Sequence, residues 1–394
     1  MERAQVLIGL DVGKTRHYAH VITSTGTVLF HRPVAQTEAA LRTLLAEAGT
    51  YGKPVLVLDQ CASIGALPRA VAHDVQVPVL YLPGRAFRHV ADSFPGRTKT
   101  DRRDADIIAT AGRPMSHAVR PLAPADPAVA RIKVATGHLD ALNADLCADK
   151  NRLRSLLLQL HAPLERLLGP RLGQAGVLPL LATWPTPAHL DAVPDEELVA
   201  FLKAQGSRRA ATLVAELRQA LTQQTLVLPG TEPLGEAIAY RAARCQAAVA
   251  EKHRVTAQLG SELAANATAQ RILTMPGFGP TTTATVLAEL DGKTFRSADH
   301  LASYAGVAPT VRQSGASRHV HRSRTANTRL KDALCWAAFT TIRSGAGKVA
   351  YEAKRHKGHW KAIIALARHR VSILYAMLRD QTAYREPLPP LTPT

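Results

Sequence analysis

The chain has 394 residues, enough for two or three domains, and 46% of them are hydrophobic, as in ordinary globular proteins. There are 49 lysines and arginines against 31 acids, and the resulting net charge of +18 indicates an anionic partner, nucleic acid before others. The four cysteines form no CxxC pair, which argues against a zinc knuckle or a disulfide framework and fits a reducing cytosol. With no signal peptide and no run of transmembrane length, we expect no membrane partner and a place in the bacterial cytoplasm, on the chromosome.

The first 82 residues alternate short apolar runs with helical periodicity. Strands are predicted at 6–11, 18–23, 27–30, 55–59 and 77–82, and helices at 37–49 and 64–73. The second and third strands flank a Ser-Thr-Gly turn, which indicates a hairpin. This order predicts an α/β layer with a largely parallel sheet and one early antiparallel hairpin.

Four aspartates are placed where such a layer could gather them. Asp11 closes the first strand and Asp59 closes the fourth. In KTDRRDAD, Asp101 and Asp104 share one helix face, whereas Asp106 points elsewhere. Carboxylates at strand ends and on a facing helix can converge at one edge of the sheet and hold two Mg²⁺ ions. The alternative is that these acids only cap turns and helices.

Basic residues surround the KTDRRDAD pair. If the acids hold metal, these cations are predicted to contact phosphate; if not, they are the ordinary neighbours of an acidic helix start. The candidates for nucleic-acid contact here are Lys99, Arg102 and Arg103.

Three segments carry a family resemblance: GLDVGK at 9–14, VLVLDQ at 55–60 and GRTKTDRRDADIIA at 96–109. They resemble the RuvC-like domain of the DEDD insertion-sequence transposases, a group that includes the pilin-gene inversion recombinases. The resemblance implies a ribonuclease-H-like sheet and Mg²⁺ or Mn²⁺ held by the four aspartates. The second acid of that family is usually Glu, so Asp59 is a departure with a shorter side chain.

The middle of the chain is predicted to be helical. Apolar residues recur every seven positions from Ile132 to Leu160, which is typical of a coiled coil. Pairing with another chain would make a dimer, and packing within the same chain is the alternative. Residues 164–233 contain seven prolines around helical stretches at 195–204 and 208–224, and we assign them no chemistry. A second long helix at 234–265 would be the return arm.

The segment 271–290 contains a PGFGP turn before a threonine-rich helix start. Gly277 and Gly279 permit a tight backbone, and the helix start could present N–H groups to a phosphate. This resembles a helix-hairpin-helix element that grips nucleic-acid backbone. An ordinary corner between two helices is the alternative.

The most basic part of the chain follows. From Pro309 to Arg370 there are 14 lysines and arginines against two acids. A serine beside a glycine among arginines could be a nucleophile, although Ser-Gly is a common turn and Ser317 and Ser323 are equally available. Cations that could clamp a phosphate there are Arg312, Arg318, Arg322, Arg324 and Arg329. YAGVAPTVRQSG followed by N-x-x-L resembles the C-terminal domain of the same family, which implies Ser314 as the nucleophile.

The expected organisation is a RuvC-like domain at 1–123, a helical coiled-coil region at 124–268, a C-terminal transposase domain at 269–382 and a Pro-rich tail at 383–394. The expected function is metal-assisted DNA strand exchange by serine attack. The family further implies double-stranded DNA, a noncoding guide RNA and a dimer or tetramer. A hydrolytic RuvC-like nuclease and a non-catalytic DNA-binding protein are the alternatives. Because aromatic residues make up only 5%, base stacking is not expected to dominate binding.

Overall fold

The structure is a computed structural model that describes residues 5–61, 63–94, 100–113, 119–124, 126–314, 317–321, 326–343 and 345–385. The chain forms two compact units. Unit 1 comprises Met1–Pro127 with Leu290–Arg296, and unit 2 comprises Ala128–Glu289 with Ser297–Thr394. Lys99, Arg322, Ser323, Arg324 and the Pro-rich end beyond residue 385 lie outside the described residues.

Unit 1 is built on a six-stranded sheet with the order β3-β2-β1-β4-β5-β6. Its strands are β1 (Gln5–Asp11), β2 (Arg16–Thr23), β3 (Val28–Ala35), β4 (Lys53–Leu58), β5 (Val79–Tyr81) and β6 (Arg120–Leu122). Among the described strands, only β1 with β4 and β4 with β5 pair in parallel. The prediction of a largely parallel sheet was therefore wrong, because the short turns after β1 and β2 and the returning edge strand β6 give three antiparallel pairings.

Four helices among the described residues cover the two faces of this sheet. They are α1 (Glu38–Tyr51), α2 (Ala66–Asp74), α3 (Gly84–Ala91) and α4 (Asp101–Ala111). Alternation along β1 separates the faces. Ile8 and Leu10 share a core with Leu41 and Leu44 of α1, whereas Leu7 packs with Ala109 of α4 on the other face. The α/β layer predicted from the apolar runs is confirmed.

Unit 2 is mostly helical. Its helices are α5 (Pro127–Leu160), α6 (Ala162–Leu168), α7 (Val177–Thr183), α8 (Pro187–Ala192), α9 (Asp195–Ala204), α10 (Ala210–Thr222), α11 (Thr231–Ala264), α12 (Ala267–Leu273), α13 (Pro280–Leu290), α14 (Ala298–Tyr304), α15 (Thr328–Thr340), α16 (Gly345–Arg355) and α17 (His359–Asp380). A two-stranded ribbon, β7 (Thr310–Ser314) with β8 (Ser317–His321), lies between α14 and α15 in the chain. No helix among the described residues is long and apolar enough to cross a membrane.

The two longest helices, α5 and α11, run antiparallel beside each other. Arg131 near the start of α5 pairs with Glu262 near the end of α11 at 2.8 Å. Further along α5, Asp149 is bound by Arg241 of α11 at 2.7 Å. Leucines of the α5 heptads, together with Ile238 of α11, belong to a core that the short helices α6 to α10 complete. These heptad positions are thus buried within the chain, so they no longer argue for a dimer.

Candidate active site

Asp11 and Asp59 occupy equivalent positions on neighbouring parallel strands. β1 and β4 pair with a constant offset of 48 residues, ending at Leu10 opposite Leu58. Asp11 is the last residue of β1, and Asp59 directly follows β4. Neighbouring strands lie about 4.8 Å apart and paired residues face the same side. The two carboxylates therefore leave the carboxyl edge of the sheet together, on the face that α4 covers.

The start of α4 is brought to the same edge by a very close helix–strand contact. A Cβ on Gly9 would lie 2.2 Å from the Ala105 carbonyl oxygen and 2.3 Å from the Ala109 nitrogen. At the other end of α4, a Cβ on Gly112 would lie 3.5 Å from the side chain of Leu7. The helix therefore runs opposite to β1, with its N-terminus at the strand's carboxyl end.

The first turn of α4 supplies the remaining two acids. The Thr100 side chain caps the helix by accepting a hydrogen bond from the Arg103 N–H at 3.2 Å. Asp101 begins the helix and is exposed, and Asp104 is half-buried one turn later. All four aspartates singled out in the sequence are thus placed at one end of unit 1.

Asp59 is the electrostatically costly member of this group. Its Oδ1 atom is buried and has no hydrogen-bond partner among the described residues. Burial raises the pKa of the Asp59 carboxyl, and the charge of Asp104 raises it further, against hydrogen bonds from the backbone of Asp59 and Gln60. A divalent cation here would satisfy the orphaned oxygen and offset the repulsion.

The donor set fits a hard cation, because all four acids offer carboxylate oxygens. In the described conformation, however, no three His, Cys, Asp or Glu side chains of the described residues form a group that could hold one metal ion. The backbone thus places the four acids at one edge of the sheet, but in this conformation their carboxylates are not close enough together to coordinate one ion.

The two described arginines at the start of α4 differ in their exposure to solvent. Arg102 is exposed beside the acids. Arg103 is half-buried, and its Nη2 donates to the Phe94 carbonyl oxygen at 3.4 Å, so it also contacts the segment that follows α3.

A second polar group on the same face was missed in the sequence. His20 of β2 lies opposite Gly9, is buried, and its Nε2 is 3.5 Å from Oδ1 of Asp106. Its ring stacks on His31 at 5.7 Å, and the hydroxyl of Tyr18 lies 2.9 Å from Nδ1 of His31. Burial lowers the pKa of His20, which Asp106 partly counteracts. The alternation of Tyr18 and His20 along β2 was the available signal.

The described part of the serine segment forms the ribbon of β7 and β8 in unit 2. Ser314 ends β7 and lies opposite Ser317 at the start of β8. Arg312 is on β7 opposite His319, and Arg318 is on β8 opposite Gln313. Ser314 and Ser317 are thus the last paired residues at this end of the ribbon.

Comparison with known proteins decides the family. A DEDD transposase model, of the IS110 type, matches residues 8–162. A second model, described as a transposase of the IS116/IS110/IS902 family, matches residues 269–352. The chain belongs to the IS110 family of transposases. The resemblance seen in the sequence is confirmed, and the matched segments contain the four aspartates and Ser314.

Relatives extend over nearly the whole transposase. It is 39% identical to the 43.6 kDa protein of insertion element IS110 from Streptomyces coelicolor, over 98% of this chain and 97% of that protein. It is 34% identical to the 42 kDa protein of IS900 from Mycobacterium paratuberculosis, over 96% and 97%. A pilin gene-inverting protein of Moraxella bovis is 36% identical over 30% of this chain and 39% of its own.

Two of the predicted nucleic-acid contacts of the transposase, Arg329 and Gly277, lie in well-packed parts of unit 2. Arg329 of α15 is held by Asp140 at 2.7 Å and by Glu289 at 3.0 Å, so its guanidinium already has internal partners. Gly277 has φ +86°, and a Cβ there would lie 2.2 Å from the Ala337 carbonyl oxygen. Gly277 is thus needed for packing against α15, while Gly279 is exposed at the start of α13.

Proposed function

We propose that this transposase exchanges DNA strands through a metal-dependent acidic site in unit 1 and a covalent serine intermediate. The observation that carries the proposal is the meeting of Asp11, Asp59 and the first turn of α4 at one sheet edge, with Oδ1 of Asp59 buried and without a partner among the described residues. Asp11, Asp59, Asp101 and Asp104 would hold Mg²⁺ or Mn²⁺. The ion would polarise the scissile phosphate.

The serine supplies the bond chemistry. Oγ of Ser314 would bond to the phosphorus while the bond from phosphorus to one deoxyribose oxygen breaks, and the serine proton ends on that oxygen. The hydroxyl of a second strand would then attack the phosphoserine and release Ser314. One phosphoester bond replaces another in each step, so rejoining needs no external energy source.

Nearby cations complete the proposal. Arg102 and the ribbon arginines Arg312 and Arg318 would bind phosphates and offset the charge that develops in the transition state. Binding would then be strongly salt-dependent.

The decisive experiment follows end-labelled element DNA on a denaturing gel with and without Mg²⁺. Wild-type protein is expected to give a protease-sensitive protein–DNA adduct, which Ser314→Ala and Asp11→Asn lose. Ser317→Ala is the matched control, since Ser317 lies directly across the ribbon. Cleavage by Ser314→Ala without an adduct would support a hydrolytic nuclease instead. Unchanged behaviour of Asp11→Asn would support a non-catalytic DNA-binding protein.

We also propose that acids and serine act between protomers of a dimer or tetramer. The support is the family resemblance. Mixing Asp11→Asn with Ser314→Ala protein tests it, because each variant keeps the half-site that the other lacks. Restored adduct formation in the mixture is expected, and its absence at any ratio would favour action within one chain.

A noncoding guide RNA that pairs with element and target DNA is the last part of the proposal, again supported by the family resemblance together with the net charge of +18. Purified protein should carry a discrete RNA transcribed next to its gene. Strand exchange should be lost after ribonuclease treatment and return when that RNA is added. Activity of ribonuclease-treated protein on its own would overturn the guide.

A further inference from the structure

Two of the three tryptophans of the chain belong to one chain of ring contacts on the surface of unit 2. Trp336 of α15 is 63% exposed and Trp360 of α17 is 65% exposed. They are linked through two more rings: Trp336 meets Phe339 at 5.6 Å, Phe339 meets His359 at 6.2 Å, and His359 meets Trp360 at 5.4 Å. We call these four side chains the tryptophan surface. The third tryptophan, Trp184, packs edge-on against Phe201 elsewhere in the unit.

Buried residues of unit 2 fix the position of the tryptophan surface. The buried Tyr351 of α16 has its hydroxyl 2.7 Å from Nδ1 of His359, which fixes the ring that lies between the two tryptophans. The underlying residues of α15 and α17, such as Leu334 and Ile363, are buried in the unit. The two exposed indoles therefore do not contribute to the hydrophobic core. Burying them would have been favourable for folding, so their exposure indicates a binding surface.

The surroundings are strongly cationic. Between residues 343 and 361 the exposed charged side chains comprise six cations and one acid, Glu352, which is 3.7 Å from Arg355. The cations are Arg343, Lys348, Lys354, Arg355, Lys357 and Lys361. A second copy of this chain would bring the same positive charge and be repelled. An anionic partner with flat apolar faces is the complement of this surface.

Nucleotides have that combination, but only unpaired ones can use it. In a duplex the faces of the bases are stacked on one another, and a protein reaches only their edges in the grooves. A free strand offers its base faces to aromatic side chains and its phosphates to nearby cations. Strand exchange, the function proposed above on which this step rests, produces such unpaired DNA.

We infer that the tryptophan surface binds single-stranded DNA, with bases stacked on Trp336 and Trp360 and phosphates paired with the lysines of α16 and α17. The low overall aromatic content conceals this site, because two tryptophans that are 24 residues apart in the chain are linked in space through Phe339 and His359.

The test measures anisotropy of a fluorescein-labelled dT₂₀ strand, a hairpin duplex and an rU₂₀ strand with full-length protein, without added metal. Trp336→Ala/Trp360→Ala should bind dT₂₀ at least about 10-fold more weakly, since each stacked base contributes substantially, and bind the duplex within about twofold of wild type. Trp336→Phe/Trp360→Phe should recover most of the affinity. In a Trp184→Phe background, dT₂₀ should quench the remaining tryptophan fluorescence.

Three results would overturn the inference: unchanged dT₂₀ binding, equal loss for strand and duplex, or loss confined to rU₂₀. A shift to a smaller oligomer with dT₂₀ binding intact would make the surface a protein interface instead. Leu158→Ala, which truncates an exposed apolar residue of α5, is the control for general surface effects. Because only binding is measured, and without added metal, loss of strand binding can be told apart from failure of the serine and acid chemistry.

Discussion

Gly9 of β1 and Ala105 of α4 are packed so closely that no side chain fits between them, and this contact sets the depth at which α4 lies on the sheet. The distance matters for function because Asp104 directly precedes Ala105, and Asp11 lies two residues beyond Gly9. Moving the helix outward would move Asp101 and Asp104 away from Asp11 and Asp59 together.

Gly9→Ala should therefore damage both stability and activity. The new methyl group would lie 2.2 Å from a backbone oxygen that cannot rotate away, and overpacking of this kind costs about 1–3 kcal/mol. Chemical denaturation and adduct formation are the measurements. Gly49→Ala is the matched control: it lies inside α1 with nothing within 4 Å, and it should stabilise by about 0.4–1 kcal/mol. If Gly9→Ala kept full activity, the depth at which α4 packs on the sheet would not control catalysis.

Asp59→Asn should make the metal-free protein more stable while removing its response to metal. The pKa of Asp59 is raised, so folding favours its protonated form and disfavours the charged one. Stability contributed by Asp59 is thus present below the unfolded pKa and is lost as pH rises through the raised value. The variant should show a higher Tm at neutral pH and a flatter pH profile.

Metal is the second half of that prediction. Mg²⁺ or Mn²⁺ should raise the Tm of wild type and leave Asp59→Asn unchanged. Asp92→Asn, an exposed aspartate of the same unit, should behave like wild type in both measurements. An Asp59→Asn protein that is less stable than wild type would show that the carboxylate is structural.

Asp149→Ala should destabilise unit 2. Asp149 interrupts the heptads of α5, and its buried carboxylate accepts Arg241 at 2.7 Å and lies 3.2 Å from Arg244. Removing one partner of a buried pair costs about 3–5 kcal/mol, and because both arginines are partly exposed we expect roughly 1–3 kcal/mol. The urea midpoint measures this loss. Asp145→Ala, on the exposed side of the same helix, should change the midpoint little, and an equal shift in both would refute the role of burial.

Local sequence patterns predicted the structure of unit 1 better than that of unit 2. The apolar runs that end in Asp11 and Asp59 predicted the bounds of both strands within two residues. A strand that is buried on both faces appears in the sequence as a continuous run of apolar residues. The heptads of α5 predicted a long helix but not its partner, since a leucine stripe packs equally well against its own chain or another. The link from Trp336 to Trp360 through Phe339 and His359 depends on how α15 and α17 pack, and no local pattern encodes that.

The last prediction concerns acid stability. His161 caps α6: its Nδ1 accepts the Leu164 N–H at 3.1 Å, while its Nε2 donates to the Gln224 carbonyl oxygen at 3.1 Å. Burial lowers the pKa of His161, so its stabilising contribution is present above the unfolded pKa and is lost as pH falls through the lowered value. The Tm should therefore drop on acidification from neutral pH. His161→Asn keeps a capping oxygen without this titration and should flatten the drop, whereas His253→Asn, an exposed site on α11, should not. If the Tm of His161→Asn fell with pH as steeply as that of wild type, other groups would be responsible for the loss of stability in acid.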